Sequence, residues 1–120
     1  MRLFRCSRQN QYTIKDLVKA IIVKNDLEEI KKIIAGVANV NLAPTNGPLA
    51  GKTPLFIAAR KGQLAVAKLL IDSGAEVNLA PTNGPFAGRT PLFIAAQNGQ
   101  LDVAKLLIDS GAEVNLAPTN

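Results

Sequence analysis

Residues 41–77 and 78–114 are one 37-residue text written twice, with five changes: Leu49/Phe86, Lys52/Arg89, Arg60/Gln97, Lys61/Asn98 and Ala65/Asp102. A third copy opens at Asn115 and runs to Asn120. A weaker copy comes first, since "LVKAIIVKNDLEEIKKIIAGVANVN" (17–41) aligns without gaps with "PLFIAARKGQLAVAKLLIDSGAEVN" (54–78). A fixed period of this kind marks an array whose units each touch only their neighbours, because one unit cannot bury its apolar face alone. The chain therefore reads as about three units, the first divergent. They form one domain at 13–120, after a basic segment at 1–12.

Each unit reads as two short antiparallel helices and a loop. Thr53 is placed to cap a helix, and Pro54 suits the first helical position, where its missing N–H has no partner to lose. Leu55, Ala58 and Ala59 then share one face, whose small alanines allow close helix contact. Gly62 stops that helix. A second helix is predicted from about Leu64 to Asp72, with Val66, Leu69 and Leu70 inward and Gly74 as its left-handed C-terminal residue. The stretch "AEVNLAPTNGPLAG" that follows is too rich in Pro, Asn and Gly to be helical, and a turn is expected at Asn46-Gly47.

These residues resemble the ankyrin repeat. "GKTPLFIAARKGQLAVAKLLIDSGAEVN" (51–78) and "GRTPLFIAAQNGQLDVAKLLIDSGAEVN" (88–115) carry that family's G-x-T-P-L-H-x-A-A opening and its G-A-x-V-N close. The resemblance is strong over 51–115 and extends back to about residue 13. It implies an all-α solenoid of stacked antiparallel helix pairs with projecting hairpin-like loops, in repeats of about 13–41, 51–78 and 88–115. Three departures stand out. Phe56 and Phe93 replace the family's histidine, so apolar packing must replace its hydrogen bonding. The period is 37 instead of 33, with the extra residues inside "NLAPTNGPLAG". Val37 stands where Gly74 stands in the next unit, with Gly36 one residue earlier, so the first unit's second helix is expected to end a residue sooner.

The repeat also disposes of a nucleotide site. Gly51-Lys52-Thr53 is the ending of a Walker A loop, but Asn46 occupies the position of its first glycine and Gly47 is one residue too close. Pro54 falls where such a loop would offer helix N–H groups to phosphate. Catalysis requires groups that converge. Here Asp72/Glu76 and Asp109/Glu113 recur by translation, Ser73 and Ser110 have no histidine to serve as base, and the chain holds no histidine and one cysteine. No enzyme activity, cofactor or metal is expected. Folding stability should also change little between about pH 5 and 8.

Cys6 cannot form an internal disulfide, which points to a reducing, cytoplasmic setting. No stretch is apolar enough to span a membrane. Of the net charge of +5, residues 1–41 contribute eight Lys/Arg against four Asp/Glu, and 42–120 six against five. A basic end of this kind suits nucleic acid or an acidic membrane surface. Against this, Lys31 and Lys32 follow Glu28 and Glu29 at helical spacing, and no aromatic residues interleave with the basic ones.

A protein-interaction scaffold is the favoured function. Partners of the family dock on the concave side, formed by loop tips and exposed ends of inner helices. Carried onto this sequence, those positions are Lys52 and Arg89 before Thr-Pro, and Arg60, Lys61, Gln97 and Asn98 after Ala-Ala. Leu49 and Phe86 lie in the lengthened loop beside them. Four of the five changes between the two copies thus fall on the expected binding surface. Phe86 is the candidate apolar anchor, unless it and Leu49 fold back as a small satellite core. The second reading is a structural, self-associating array. The last helices keep the internal pattern at Leu92, Ile94, Leu101, Leu106 and Leu107, and the sequence stops six residues into another copy. The chain is therefore expected to be part of a longer array or to have that face covered by another chain. Alone, it should self-associate weakly or fray at its last pair.

Overall fold

The computed structural model describes residues 13–24, 26–37, 39–45, 47, 49–82 and 84–114. The basic segment at 1–12 and the copy beginning at Asn115 lie outside them. Within the described residues six α-helices form three pairs: α1 (Ile14–Lys19) with α2 (Leu27–Gly36), α3 (Pro54–Lys61) with α4 (Leu64–Asp72), and α5 (Pro91–Gln97) with α6 (Leu101–Asp109). No strand occurs among them.

Side-chain caps set the starts of four helices, α1, α2, α3 and α5, whereas α4 and α6 begin without one. Thr53 accepts a hydrogen bond from the Phe56 N–H (3.2 Å), Thr90 accepts one from Phe93 (3.2 Å), and Pro54 and Pro91 occupy the first helical turn. Both threonines are buried, so each caps its helix where water could not do so. The first pair uses a different signal one turn earlier. Thr13 and Asp16 form a reciprocal capping box, with Asp16 N–H donating to Thr13 Oγ1 and Thr13 N–H to Asp16 Oδ2. Helix α1 consequently opens three residues before the position aligned with Pro54, and continues through a π-helical stretch, Ala20–Lys24. Asp26 caps α2, whose first turn carries Glu28 and Glu29, favourable charges at a helix N-terminus.

The ends differ in an instructive way. Helix α4 closes with Ala75 N–H on the Leu70 carbonyl (2.9 Å) and Gly74 N–H on Ile71 (3.0 Å), and α6 repeats this at Gly111 and Ala112. This paired closure needs a left-handed residue, and Gly74 has φ 100°. In α2 the aligned residue is Val37, whose β-branched side chain disfavours that conformation. Val37 is extended (φ −94°, ψ 134°) and the helix runs through Gly36, the position aligned with Ser73. The first unit's second helix therefore ends a residue later than its equivalents, against the expectation of an earlier stop.

The pairs stack in two layers. Inner helices α1, α3 and α5 pack in series, as do outer helices α2, α4 and α6. Helix α3 is central: Pro54 through Ala59 are all buried, and Phe56 is 0% exposed. Phe56 thus fills the family's histidine position by apolar burial, a contribution of about 2–3 kcal/mol. Polar bridges recur between pairs. Gln63 Nε2 donates to the Ile21 carbonyl (3.1 Å) and Gln100 Nε2 to that of Arg60 (3.3 Å). Asn41 Oδ1 accepts from Glu76 N–H (2.7 Å), and Asn78 Oδ1 accepts from Glu113 N–H (2.8 Å).

Candidate interaction surface

Among the described residues, backbone hydrogen bonds close the lengthened loop; the turn expected at Asn46-Gly47 includes Asn46, which lies outside them. In the first copy Gly51 N–H donates to the Pro44 carbonyl (2.9 Å), Ala50 to Gly47 (3.2 Å) and Lys52 to Leu49 (3.1 Å). The second copy repeats these bonds from Gly88 to Pro81 (2.9 Å), Ala87 to Gly84 (3.2 Å) and Arg89 to Phe86 (3.1 Å). The closure brings the residue at 49 or 86 back over the inner helices, and both Leu49 and Phe86 are half-buried against the core.

Phe86 lies edge-on to Phe56, with ring centroids 5.7 Å apart and planes at 69°. Three cations surround its ring: Lys52 Nζ at 5.1 Å, Arg60 Cζ at 4.8 Å and Arg89 Cζ at 5.5 Å from the centroid. Arg89 also stands 5.8 Å from the Phe93 ring. The ring quadrupole attracts each cation. Phe86 is therefore packed into its own molecule, against Phe56 of the main core instead of in a separate satellite core, with no free ring projecting from the loop. Lys52 also departs from expectation, being only 9% exposed.

Beside this cluster a hollow of about 440 Å³ opens between Ile22, Leu49, Ile57, Arg60, Lys61 and Asn98. It gathers four of the residues singled out from sequence. Arg60, Lys61, Gln97 and Asn98 are exposed, and Asn98 Nδ2 donates to the Arg60 carbonyl (3.3 Å), tying the second and third pairs together at the rim. Gln97 lines neither the hollow nor the Phe86 cluster. A second hollow of about 370 Å³ continues toward the first pair, with Val18, Ile22, Pro44 and Leu49 as apolar wall and Lys15 and Lys19 at its edge. Ile22 and Leu49 belong to both, so the two are neighbours along one face. Sequence reasoning missed Lys15, Lys19 and Ile22. The signal was the loop's length, which lets Leu49 reach back onto α1, but divergence of the first unit hid its equivalent positions.

Charge is sorted by layer. Segments 13–24, 42–62 and 79–99, which hold the inner helices and loops, carry seven basic residues against one acidic. Segments 25–41, 63–78 and 100–114, which hold the outer helices, carry four against eight. The single inner acid, Asp16, is engaged in the Thr13 capping box. Among the described residues no group of His, Cys, Asp and Glu could hold a metal, and no helix is long and apolar enough to cross a membrane.

Repeated helix pairs in two layers, joined by a recurring loop over the inner layer, define a repeat solenoid. The family model for ankyrin repeats matches residues 4–117 in three copies, and the chain belongs to that family, whose members are generally protein–protein interaction modules and typically non-catalytic. None of the curated proteins compared with the chain matches it.

Proposed function

We propose that the chain is a non-catalytic scaffold that binds a partner protein on its inner, concave face. The carrying observation is the hollow between Leu49, Ile57, Arg60, Lys61 and Asn98, an apolar floor with an exposed polar rim. A hollow that sets apolar side chains beside exposed polar ones is suited to a protein anchor with polar groups around it. Arg60, Lys61, Gln97 and Asn98 would contact the partner directly. Leu49 would form the floor, while Phe86 would act from beneath by holding Lys52, Arg60 and Arg89 in place. The test is affinity capture with the intact array, an array altered by Leu49→Asp and Lys61→Glu, and one altered by Lys68→Glu and Lys105→Glu on the outer layer. Proteins retained by the first and third arrays and lost with the second are expected. Equal loss with both altered arrays would refute the inner-face assignment.

A self-associating structural array is the second reading. It is favoured by the apolar residues that the third pair leaves exposed, Leu101 (75%), Ile108 (49%) and Val114 (63%). Sedimentation separates the two, since inner-face binding does not require the chain to associate with itself.

A further inference from the structure

The inner face has an apolar floor and a cationic rim, and the two together specify a partner chemistry. We infer that it takes an acidic polypeptide segment interspersed with apolar side chains, an inference that rests on the protein-binding reading above. Cations border both hollows, Lys15 and Lys19 at one and Arg60 and Lys61 at the other. Among the described residues no carboxylate pairs with Arg60, Lys61 or Arg89. Two of these cations instead stand over the Phe86 ring, Arg60 Cζ at 4.8 Å and Arg89 Cζ at 5.5 Å from its centroid, so an aromatic face and not a carboxylate is their partner. The acids that could have neutralised them are in the outer segments: Asp72, Glu76, Asp102, Asp109 and Glu113. A surface of one sign steers and selects a partner of the other. Carboxylates on the rim then leave the shared Ile22–Leu49 wall for leucine-like side chains of the same segment.

A nucleic acid is the less fitting polyanion. Stacking platforms are what bind single strands without sequence preference. Among the described residues each ring is committed internally: Phe56 is fully buried, Phe86 is covered by Phe56 and cations, and Phe93 is half-buried beneath Arg89. The apolar floor also offers nothing to a phosphodiester chain.

Fluorescence anisotropy with the full chain tests this. The probes are a labelled peptide of Asp and Glu interrupted by leucines, the same peptide with Asn and Gln in place of the acids, and a labelled single-stranded oligonucleotide of equal charge. The acidic peptide should bind about tenfold more tightly than its neutral counterpart and should weaken as salt rises. Arg60→Gln with Lys61→Gln should reduce its affinity by about tenfold while lowering the melting temperature by no more than the loss of one cation–π contact, and Lys68→Gln with Lys105→Gln should leave the affinity unchanged. The inference is overturned if the acidic peptide does not bind or binds no better than the neutral one. Tighter binding of the oligonucleotide would overturn it as well. Equal binding of the acidic and neutral peptides, abolished for both by Leu49→Asp, would leave the inner-face protein site standing while removing its acidic preference. Oligonucleotide binding alone would remove both.

Discussion

Gly62 and Gly99 occupy equivalent positions with nearly the same backbone, φ 73° and 72°, yet differ in what surrounds them. A Cβ at Gly62 would run into the side chain of Gln100, whereas at Gly99 it would meet nothing within 4 Å. Both sites charge an alanine the left-handed penalty of roughly 1–2 kcal/mol. Gly62→Ala must also displace Gln100 and its bond to the Arg60 carbonyl. Gly62→Ala is therefore expected to destabilise by about 1 kcal/mol more than Gly99→Ala, the net worth of one such bond, as read from chemical denaturation. Equal losses would show that Gln100 moves aside at no cost. Thr53→Ala belongs to the same scale. It strips the cap from the central inner helix at a buried position and should cost about 1–2 kcal/mol. Both threonine caps were legible in the sequence, because Thr-Pro followed by an apolar face states helix start and helix side together.

The loops show where legibility ended and why. Their existence, copying and turn chemistry follow from Pro, Asn and Gly in a repeated text. Where Leu49 and Phe86 end up depends on the direction of loop closure, which the Gly51–Pro44 and Gly88–Pro81 bonds decide. The same limit applied to charge. Counted along the chain, it showed a basic N-terminal end, whereas the division by layer emerges only when alternating helices are assigned to opposite sides. Likewise the stop of α2 turned on whether Val37 could imitate Gly74, a conformational question that a one-residue offset in an alignment does not answer. The loop geometry makes its own prediction. Phe86 packs on Phe56 and carries three cations, so Phe86→Ala should lower stability by about 2 kcal/mol from lost apolar burial and ring contacts. Phe86→Leu, which restores the residue of the first copy, should lose less than half as much. Unchanged melting of the alanine variant would mean that the ring contributes nothing to the fold and is free for a partner.

At the scale of the whole molecule, near-identity of two units turns the structure into its own control. Differences in exposure between equivalent residues report what a neighbouring pair covers. Leu64 is 40% exposed and Leu101 75%. Ala59 is buried and Ala96 exposed, Phe56 is buried and Phe93 half-buried, and Val77 is half-buried while Val114 is exposed. The α5–α6 face thus presents the surface that the α3–α4 face buries, with the same side chains. Ile94 and Leu107, by contrast, are fully buried, so only part of the apolar set noted in the sequence lies on this face. Arrays of this kind gain stability from each interface between neighbours. Continuing the array after Asn120 by one period, a copy of residues 84–120, should therefore raise unfolding free energy by an interface increment, on the order of 3 kcal/mol from partial burial of Phe93, Leu101, Ile108 and Val114. The unextended chain is expected to cover the same surface by weak self-association at high concentration. Leu101→Gln separates these effects, because a residue already 75% exposed contributes little to the monomer, within about 0.5 kcal/mol. Sedimentation should then show the variant monomeric at concentrations where the parent associates, with hydrogen exchange of α5 and α6 unchanged. A parent chain that stays monomeric, with its last pair protected as well as its middle one, would mean that this face is stable uncovered.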